Sequence, residues 1–294
     1  MALHYGIASK KYSLQKVIVK YDKISAAIGM IPISRRKVTN VIVMSFVLIW
    51  ILSATSYIIV MESYPEMKRI FSFYLVCDNY IISIFISFLG ALLIIAYAYG
   101  FPSMVAMMCG IFYYEFGEIL SRFRVRLGNQ NRIYSANKML CELKIHRELY
   151  KLSYDLQEAM SLICFFLLCS QMANMYCLLS EFVLTKTEDL TTSQIIEFIL
   201  LIVVIPPTLI GIIWCASRIN AQHQKIHTAI HLLLDSYTNL CNHDANITTY
   251  LNRMKEKQFP VMSACGVLEL TPKLLLGFFG SLFTYGLLFI NLKR

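Results

Sequence analysis

The residues best suited to a functional role lie at regular spacing in the last apolar run of the chain. Gly277, Thr284 and Asn291 are seven residues apart, so a helix places them on one face, where Ser281 and Leu288 join them. A stripe of small and polar side chains on an apolar helix suits the lining of an ion path, with Leu288 as a hydrophobic constriction. Close packing between helices through small residues explains the same spacing, and periodicity leaves both interpretations open.

Three histidines, His223, His227 and His231, recur every four residues and stack along one helix face. Gln224 follows His223, so the HExxH pattern that gives a zinc protease its general base is missing. We therefore expect a solvated or subunit-contacting face here rather than a metal site. The sequence also contains no glycine-rich phosphate loop and no GxSxG nucleophile motif. We predict neither an enzymatic activity nor a cofactor or metal.

Composition indicates which elements carry these residues. Hydrophobic residues make up 57% of the 294 positions and charged residues 15%, which is typical of a chain whose main solvent is lipid. About 20 helical residues cross a bilayer core of about 30 Å, and the long uncharged runs lack the alternation of barrel strands. We predict an all-α fold, a polytopic transmembrane helical bundle with cytoplasmic helical extensions. Its five spans are expected at residues 38–61, 79–114, 159–180, 198–217 and 274–292.

The basic residues predict the orientation of these spans. Of the 27 Lys and Arg residues, 22 fall in the loops that are inside when the N-terminus is cytoplasmic, in agreement with the positive-inside rule. The C-terminus is then extracellular. Dividing the run 79–114 into two short spans at 100–102 would place every later loop on the opposite side of the membrane and contradict the rule. We therefore predict one long helix with a kink near Pro102. The glycosylation sequon at Asn246 is expected to be cytoplasmic and unmodified.

The positive charge lies in loops, which favours contact with membrane lipid over nucleic acid. We predict a cytoplasmic N-terminal segment at 1–37 and a transmembrane domain at 38–292. The N-terminal segment suits a surface helix, a lipid-headgroup contact or a solvated tail. Leucine and isoleucine residues at helical spacing predict a cytoplasmic helical layer built from 115–158 and 218–273.

A short motif in the last run is similar to the signature of a known family. Thr284-Tyr285 is followed by Gly286, by four hydrophobic residues and then by Asn291-Leu292. This resembles the final span of insect gustatory receptors, where Thr-Tyr, five hydrophobic residues and Gln-Phe occur. The approach through 259–270 is also similar, and the resemblance is best over 110–292. Asn in place of Gln and Leu in place of Phe alter the outer end of the motif, and five spans instead of seven indicate a shortened member.

The resemblance implies a ligand-gated cation channel subunit in the plasma membrane. It also implies a homo- or hetero-tetramer with other gustatory receptors, in which each last span borders the pore and a small-molecule tastant opens it. Aromatic and amide side chains in the outer halves of the other spans suit an uncharged organic ligand. These ligand-contact candidates are Tyr57, Asn79, Tyr80, Ser83, Gln171, Asn174 and Tyr176.

Two other functions stay open. A G-protein-coupled receptor requires seven spans with an extracellular N-terminus, and the charge count opposes that orientation. A non-conducting partner subunit of a chemoreceptor complex is compatible with the missing spans.

Overall fold

The computed structural model describes residues 2–28, 40, 44, 47, 48, 51, 55, 79–128, 136–184, 192–239 and 245–293. Apart from Asn79 and residues 256–271, every described residue is helical. The helices whose bounds lie in this part of the chain are α1 (Ala2–Ile28), α2 (Tyr80–Ile95), α3 (Phe101–Gly128), α4 (Ala136–Leu184), α5 (Thr192–Asn239), α6 (Ala245–Lys255) and α7 (Pro272–Lys293).

Among the described residues, three helices are long and apolar enough to cross a membrane: α4, α5 and α7. They contain the predicted spans 159–180, 198–217 and 274–292, so the predicted helical conformation is confirmed for these spans. Pro206 and Pro207 lie inside α5, which continues through both. The described residues of the predicted span 38–61 are also helical: Asn40, Met44, Val47, Leu48, Ile51 and Thr55.

The predicted span 79–114 is helical from Tyr80 onward. A five-residue π-helical turn, Ala96–Gly100, links α2 directly to α3. Helical geometry continues from Gly100 through Pro102, so the alternative of a tight hairpin at this point is wrong. Pro102 has no N–H to donate to a helical hydrogen bond, and the change from π to α geometry occurs next to it.

Contacts divide the chain into two compact units. Unit 1 comprises Met1–Ile31, Met108–Leu167 and Gly211–Leu276. Unit 2 comprises Pro32–Met107, Leu168–Ile210 and Gly277–Arg294. Unit 1 therefore contains α1, α6 and parts of α3, α4 and α5, including 108–114, 159–167 and 211–217 from three of the predicted spans. These parts include the stretches predicted to form a helical layer.

A stripe on α3 dominates the core of unit 1. Tyr113, Phe116, Leu120, Phe123 and Leu127 are three or four residues apart and at most 1% exposed, so they share one side of the helix. Burying each large apolar side chain contributes about 1.5–3 kcal/mol. The other helices of the unit bury Leu149, Leu152, Leu156, Ile219, Ile226, Ile230, Leu251 and Met254.

Ion pairs hold α1 to α4. Lys16 and Lys20 both donate to the carboxylate of Asp155, Lys16 at 3.2 Å, and Lys10 lies 3.8 Å from Glu158. Burial alone would raise the pKa of Asp155, but the hydrogen bonds from Lys20 and Lys16 hold it below its usual value. Of the roles that the sequence left open for the basic N-terminal segment, these contacts favour a helix packed on the protein surface.

A small β-hairpin precedes α7. Its strands, β1 (Ser263–Ala264) and β2 (Leu268–Glu269), pair antiparallel. Cys265 and Gly266 have positive φ angles of 53° and 68°, and a 3.1 Å hydrogen bond from the Val267 amide to β1 closes the turn. This is the geometry of a type I′ turn. The hairpin was not predicted, because strands of two residues carry no readable periodicity.

Two side-chain amides fix this hairpin to the helices of unit 1. The Gln157 amide group on α4 donates to the Ser263 carbonyl at 2.9 Å and accepts from the Ser263 amide at 3.0 Å. The Asn220 oxygen on α5 accepts from the Met262 amide at 3.0 Å. The backbone of the segment that leads into α7 is therefore bound to both long helices through their side-chain amides.

Candidate pore helix and ligand-contact residues

One side of α7 packs against α4. Leu282 and Gly286 are buried there, and a Cβ atom at Gly286 would lie 3.5 Å from Leu179 Cδ2. A residue without a side chain therefore lets the two helices approach closely. Only 11% of the most apolar part of α7 is buried, against 28% in α4 and 39% in α5. Within the described structure, most of the circumference of α7 is left uncovered.

The predicted pore-lining residues lie mainly on this uncovered side. Gly277, Thr284 and Asn291 are exposed, and Leu288 is 50% exposed. Ser281 instead borders the packed side and is partly buried. The structure therefore brings four of the five residues together on a face that the described part of the chain does not cover.

Ser281 connects α7 to α4 through a hydrogen bond. Its Oγ lies 2.6 Å from the Tyr176 hydroxyl and donates to the Phe278 carbonyl at 2.8 Å. Because the single serine proton is used toward Phe278, the Tyr176 hydroxyl is the donor in the bond between the two side chains. A predicted ligand-contact residue and a predicted pore-face residue are therefore in direct contact.

The residues of the family-like motif occupy two sides of α7. The Thr284 hydroxyl donates to the Gly280 carbonyl at 2.9 Å. The Tyr285 ring meets the Tyr176 ring edge to face, with centroids 5.4 Å apart. Asn291 is exposed, and the side chain of Leu292 lies outside the described part of the structure. Tyr285 thus adds a second contact to the one between Tyr176 and Ser281.

The remaining ligand-contact candidates have varied surroundings. Asn79 caps α2, since its Oδ1 accepts from the Ile81 amide at 3.0 Å. Gln171 is 2% exposed and accepts a 3.2 Å hydrogen bond from Thr208. Both therefore have local structural partners.

The other candidates are partly or not described. Ser83 and Asn174 are partly exposed. Tyr57 and the side chain of Tyr80 lie outside the described residues. The cavities that the structure describes in unit 1 are lined by other residues, so a ligand pocket formed by the predicted set stays a prediction.

The histidines of α5 do not all lie on a solvated face. His227 and His231 are partly exposed, with ring centroids 4.6 Å apart. His223 is only 8% exposed and stacks on Phe259, with centroids 4.3 Å apart. The expectation of a solvated or subunit-contacting face is therefore wrong for His223. Within the described ranges, no group of three His, Cys, Asp or Glu side chains is placed to hold a metal ion.

A second buried histidine, His146 on α4, packs in the same cluster. Its ring lies 5.2 Å from that of Phe259 and 6.0 Å from that of Phe123. His146 and His223 are both outside the predicted spans 159–180 and 198–217. The signal that could have identified His146 is its spacing of three residues from Leu149, which belongs to the buried stripe of α4.

Burial keeps both imidazoles neutral. Desolvation, together with the positive charge of Lys257, lowers the pKa of His146 to about 4. Desolvation, together with His146, lowers the pKa of His223 to about 3. At neutral pH each ring therefore offers one N–H donor and one nitrogen acceptor.

Comparison with models of known protein families finds no match, and comparison with curated proteins finds no match either. Membership of the gustatory receptor family therefore stays a prediction that depends on the motif in α7.

Proposed function

We propose that the chain is a subunit of a ligand-gated cation channel of the gustatory-receptor type. It lies in the plasma membrane with a cytoplasmic N-terminus and an extracellular C-terminus. One α7 from each subunit of a homo- or hetero-tetramer borders the pore, and a small organic tastant opens it. The observation that carries this proposal is the contact of Tyr176 with Ser281 and Tyr285, because it joins the predicted ligand-contact and pore-forming residues.

The exposure of α7 supports the pore-lining part of the proposal. A span that packs only against its own chain buries its small and polar residues, since these allow close approach between helices. Here Gly286 is buried in that way, whereas Gly277, Thr284 and Asn291 are exposed on the other side. Polar groups at membrane depth are favoured next to water or next to another polar group. The Thr284 hydroxyl has a partner in the Gly280 carbonyl, and a water-filled path along this face provides partners for the Asn291 amide.

Leu288 is the gate in this proposal. It is half-exposed on the same face as Thr284 and Asn291. A ring of leucine side chains at that level excludes water and ions when the helices are close together. A ligand that binds the expanded arrangement more tightly shifts the population toward it and wets the constriction. Tyr176 transmits the change, since it touches α7 at two residues.

Replacing Leu288 with Ser tests the gate. We expect the Leu288→Ser variant to carry a larger current without ligand than the unsubstituted channel, because a polar side chain stabilises water in the constriction. Whole-cell recording measures it in cells that express the chain alone or with a full-length gustatory receptor. Leu287→Ser is the matched control, since Leu287 is 47% exposed and Leu288 50%, but the two side chains point about 100° apart around the helix.

The proposal predicts no added leak current in the control. An unchanged closed state in Leu288→Ser, or equal leak in both variants, contradicts a gate at this residue. Ligand-evoked signals that persist without any conductance, with the N-terminus accessible from outside, would favour the G-protein-coupled alternative instead.

A further inference from the structure

Unit 1 contains a cavity of about 500 Å³ next to the two buried histidines. It lies between α4, α5 and the segment that follows α6, outside the predicted membrane spans. Its polar lining includes His146, His223 and Lys257, and its apolar lining includes Ile226, Met254 and Phe259. A volume of this size is within the range of about 300–1,000 Å³ that is typical of small-molecule pockets.

The histidines bring unsatisfied hydrogen-bonding groups to this cavity. His146 is completely buried and His223 is 8% exposed. Among the described residues, neither nitrogen of His146 has a hydrogen-bond partner. Nε2 of His223 also has none among them. Buried polar groups are normally hydrogen-bonded, because leaving one unpaired is unfavourable. Two such rings in the wall of one cavity indicate a site for a polar ligand.

Lys257 gives the cavity a formal positive charge. It is the one formally charged residue in the described lining, which contains no acidic side chain. Its ammonium group lies 5.4 Å from the centroid of the Tyr150 ring, and it forms no ion pair with a described carboxylate. A lysine without an acidic partner, beside two N–H donors, favours an anion.

We propose that this cavity binds a small organic carboxylate. The carboxylate accepts hydrogen bonds from Lys257 and from the imidazoles of His146 and His223. The apolar body of the ligand packs against Ile226, Met254 and Phe259. An inorganic anion would accept hydrogen bonds from the same donors but leave most of the volume and the apolar wall without contact. The site is separate from the proposed tastant pocket and does not depend on the proposed channel activity.

The cavity also joins elements that are distant in sequence. His146 is on α4, His223 is on α5, and Lys257 precedes the hairpin that leads into α7. A ligand held by all three stabilises their arrangement in unit 1, because it binds the folded unit and not the unfolded chain. Binding is therefore expected to raise the thermal stability of the protein as well as to release or absorb heat.

Calorimetric titration of the purified full-length chain in lipid nanodiscs tests the site. The probe is 3-phenylpropionate. The two control compounds have the same phenylpropyl group but a neutral or a cationic end group: 3-phenylpropan-1-ol and 3-phenylpropan-1-amine. We expect saturable binding of the acid only. The variant Lys257→Met is expected to weaken that binding by about tenfold or more, since it removes a charge-assisted hydrogen bond.

Lys225→Met is the control variant, because Lys225 is exposed on α5 and does not line the cavity. It removes the same charge and is expected to leave binding unchanged. If Lys257→Met does not fold, as judged by its melting curve, Lys257→Gln replaces it with the same expected loss. The proposal is overturned by equal binding of the acid and the alcohol, by the absence of saturable binding, or by equal weakening in the Lys225 and Lys257 variants.

Discussion

Tyr176 is the residue at which the two predicted functional sets meet. Its hydroxyl donates to Ser281 at 2.6 Å, and its ring contacts that of Tyr285. Two contacts on successive turns of α7 restrict both the position and the rotation of the phenol. A ligand that displaces Tyr176 therefore acts on α7 directly, without a longer chain of residues between them.

The two buried histidines predict how stability depends on pH. The unfolded chain binds protons at histidine below pH about 6.5, whereas His146 and His223 in the folded protein do so only near 4 and 3. The free energy of unfolding is therefore expected to fall as the pH drops from about 6.5 toward 4. The slope is on the order of 1 kcal/mol per pH unit for each histidine. Thermal melts of the full-length protein between pH 7.5 and 4.5 measure it.

Histidine substitutions provide the control for this prediction. His223→Gln is expected to reduce the pH slope, because glutamine does not titrate. His231→Gln removes a partly exposed imidazole from the same helix and is expected to leave most of the slope in place. A melting temperature that does not change with pH in the unsubstituted protein, or equal slopes in both variants, contradicts the assignment of the loss to the buried cluster.

The histidines also show the limit of a spacing argument. Intervals of four residues place His223, His227 and His231 near one another on α5, but they do not determine which part of that face turns inward. His223 is buried because Phe259, from a segment without helical periodicity, stacks on it. That contact joins residues far apart in the chain, and no local pattern predicts it.

At the scale of elements, the approach of α7 to α4 depends on Gly286. We expect Gly286→Leu to destabilise the protein by about 1–3 kcal/mol, because the added atoms meet Leu179, which already lies 3.5 Å from the position of a Cβ. Gly280→Leu is the matched control, since no atom lies within 4 Å of a Cβ at Gly280. Both variants replace Gly with Leu and so gain the same helix propensity. The difference between their free energies of unfolding therefore reports the packing at Gly286.

Thermal unfolding in nanodiscs, followed by size-exclusion chromatography, measures this difference. We expect a lower melting temperature for Gly286→Leu than for the unsubstituted protein and an equal or higher one for Gly280→Leu. The reverse order would mean that α7 does not pack on α4 through Gly286.

The elements differ in how far the sequence predicts them. Long uncharged runs require helices in lipid, and the described residues of those runs are helical apart from the N-cap Asn79. The continuation of these helices beyond the apolar runs was also predictable, since leucine and isoleucine keep their helical spacing there. The hairpin at 263–269 was not predictable, because its strands are two residues long and its turn places a non-glycine residue, Cys265, at positive φ.

At the scale of the whole molecule, the spans differ in how much of their surface the described residues bury. The most apolar parts of α4 and α5 are more buried than that of α7. Within the described part of the chain most of α7 is uncovered, so its surface is available to lipid, other subunits or a water-filled path. The sequence predicted the stripe from Gly277 to Asn291, but only the structure separates it from the packing side at Leu282 and Gly286. Assembly and orientation follow from the resemblance and the charge count and stay predictions.

The central claim is that the uncovered stripe of α7 lines an ion path that is open to the outside. Cysteine scanning with current recording tests it most directly, in cells that express the chain with a full-length gustatory receptor. Single cysteines replace Thr284, Leu288 and Asn291 on the stripe. The matched controls replace exposed residues on the side of the helix that points away from the stripe: Phe279, Phe283 and Ile290.

A membrane-impermeant, positively charged thiol reagent is then applied from outside while a ligand opens the channel. The account predicts that the current falls at the stripe positions and is unchanged at the controls and in the unsubstituted chain, because only the stripe faces the conducting water. Loss of current at Phe279, Phe283 and Ile290 with none at the stripe, or loss only when the reagent is applied from the cytoplasm, would contradict it.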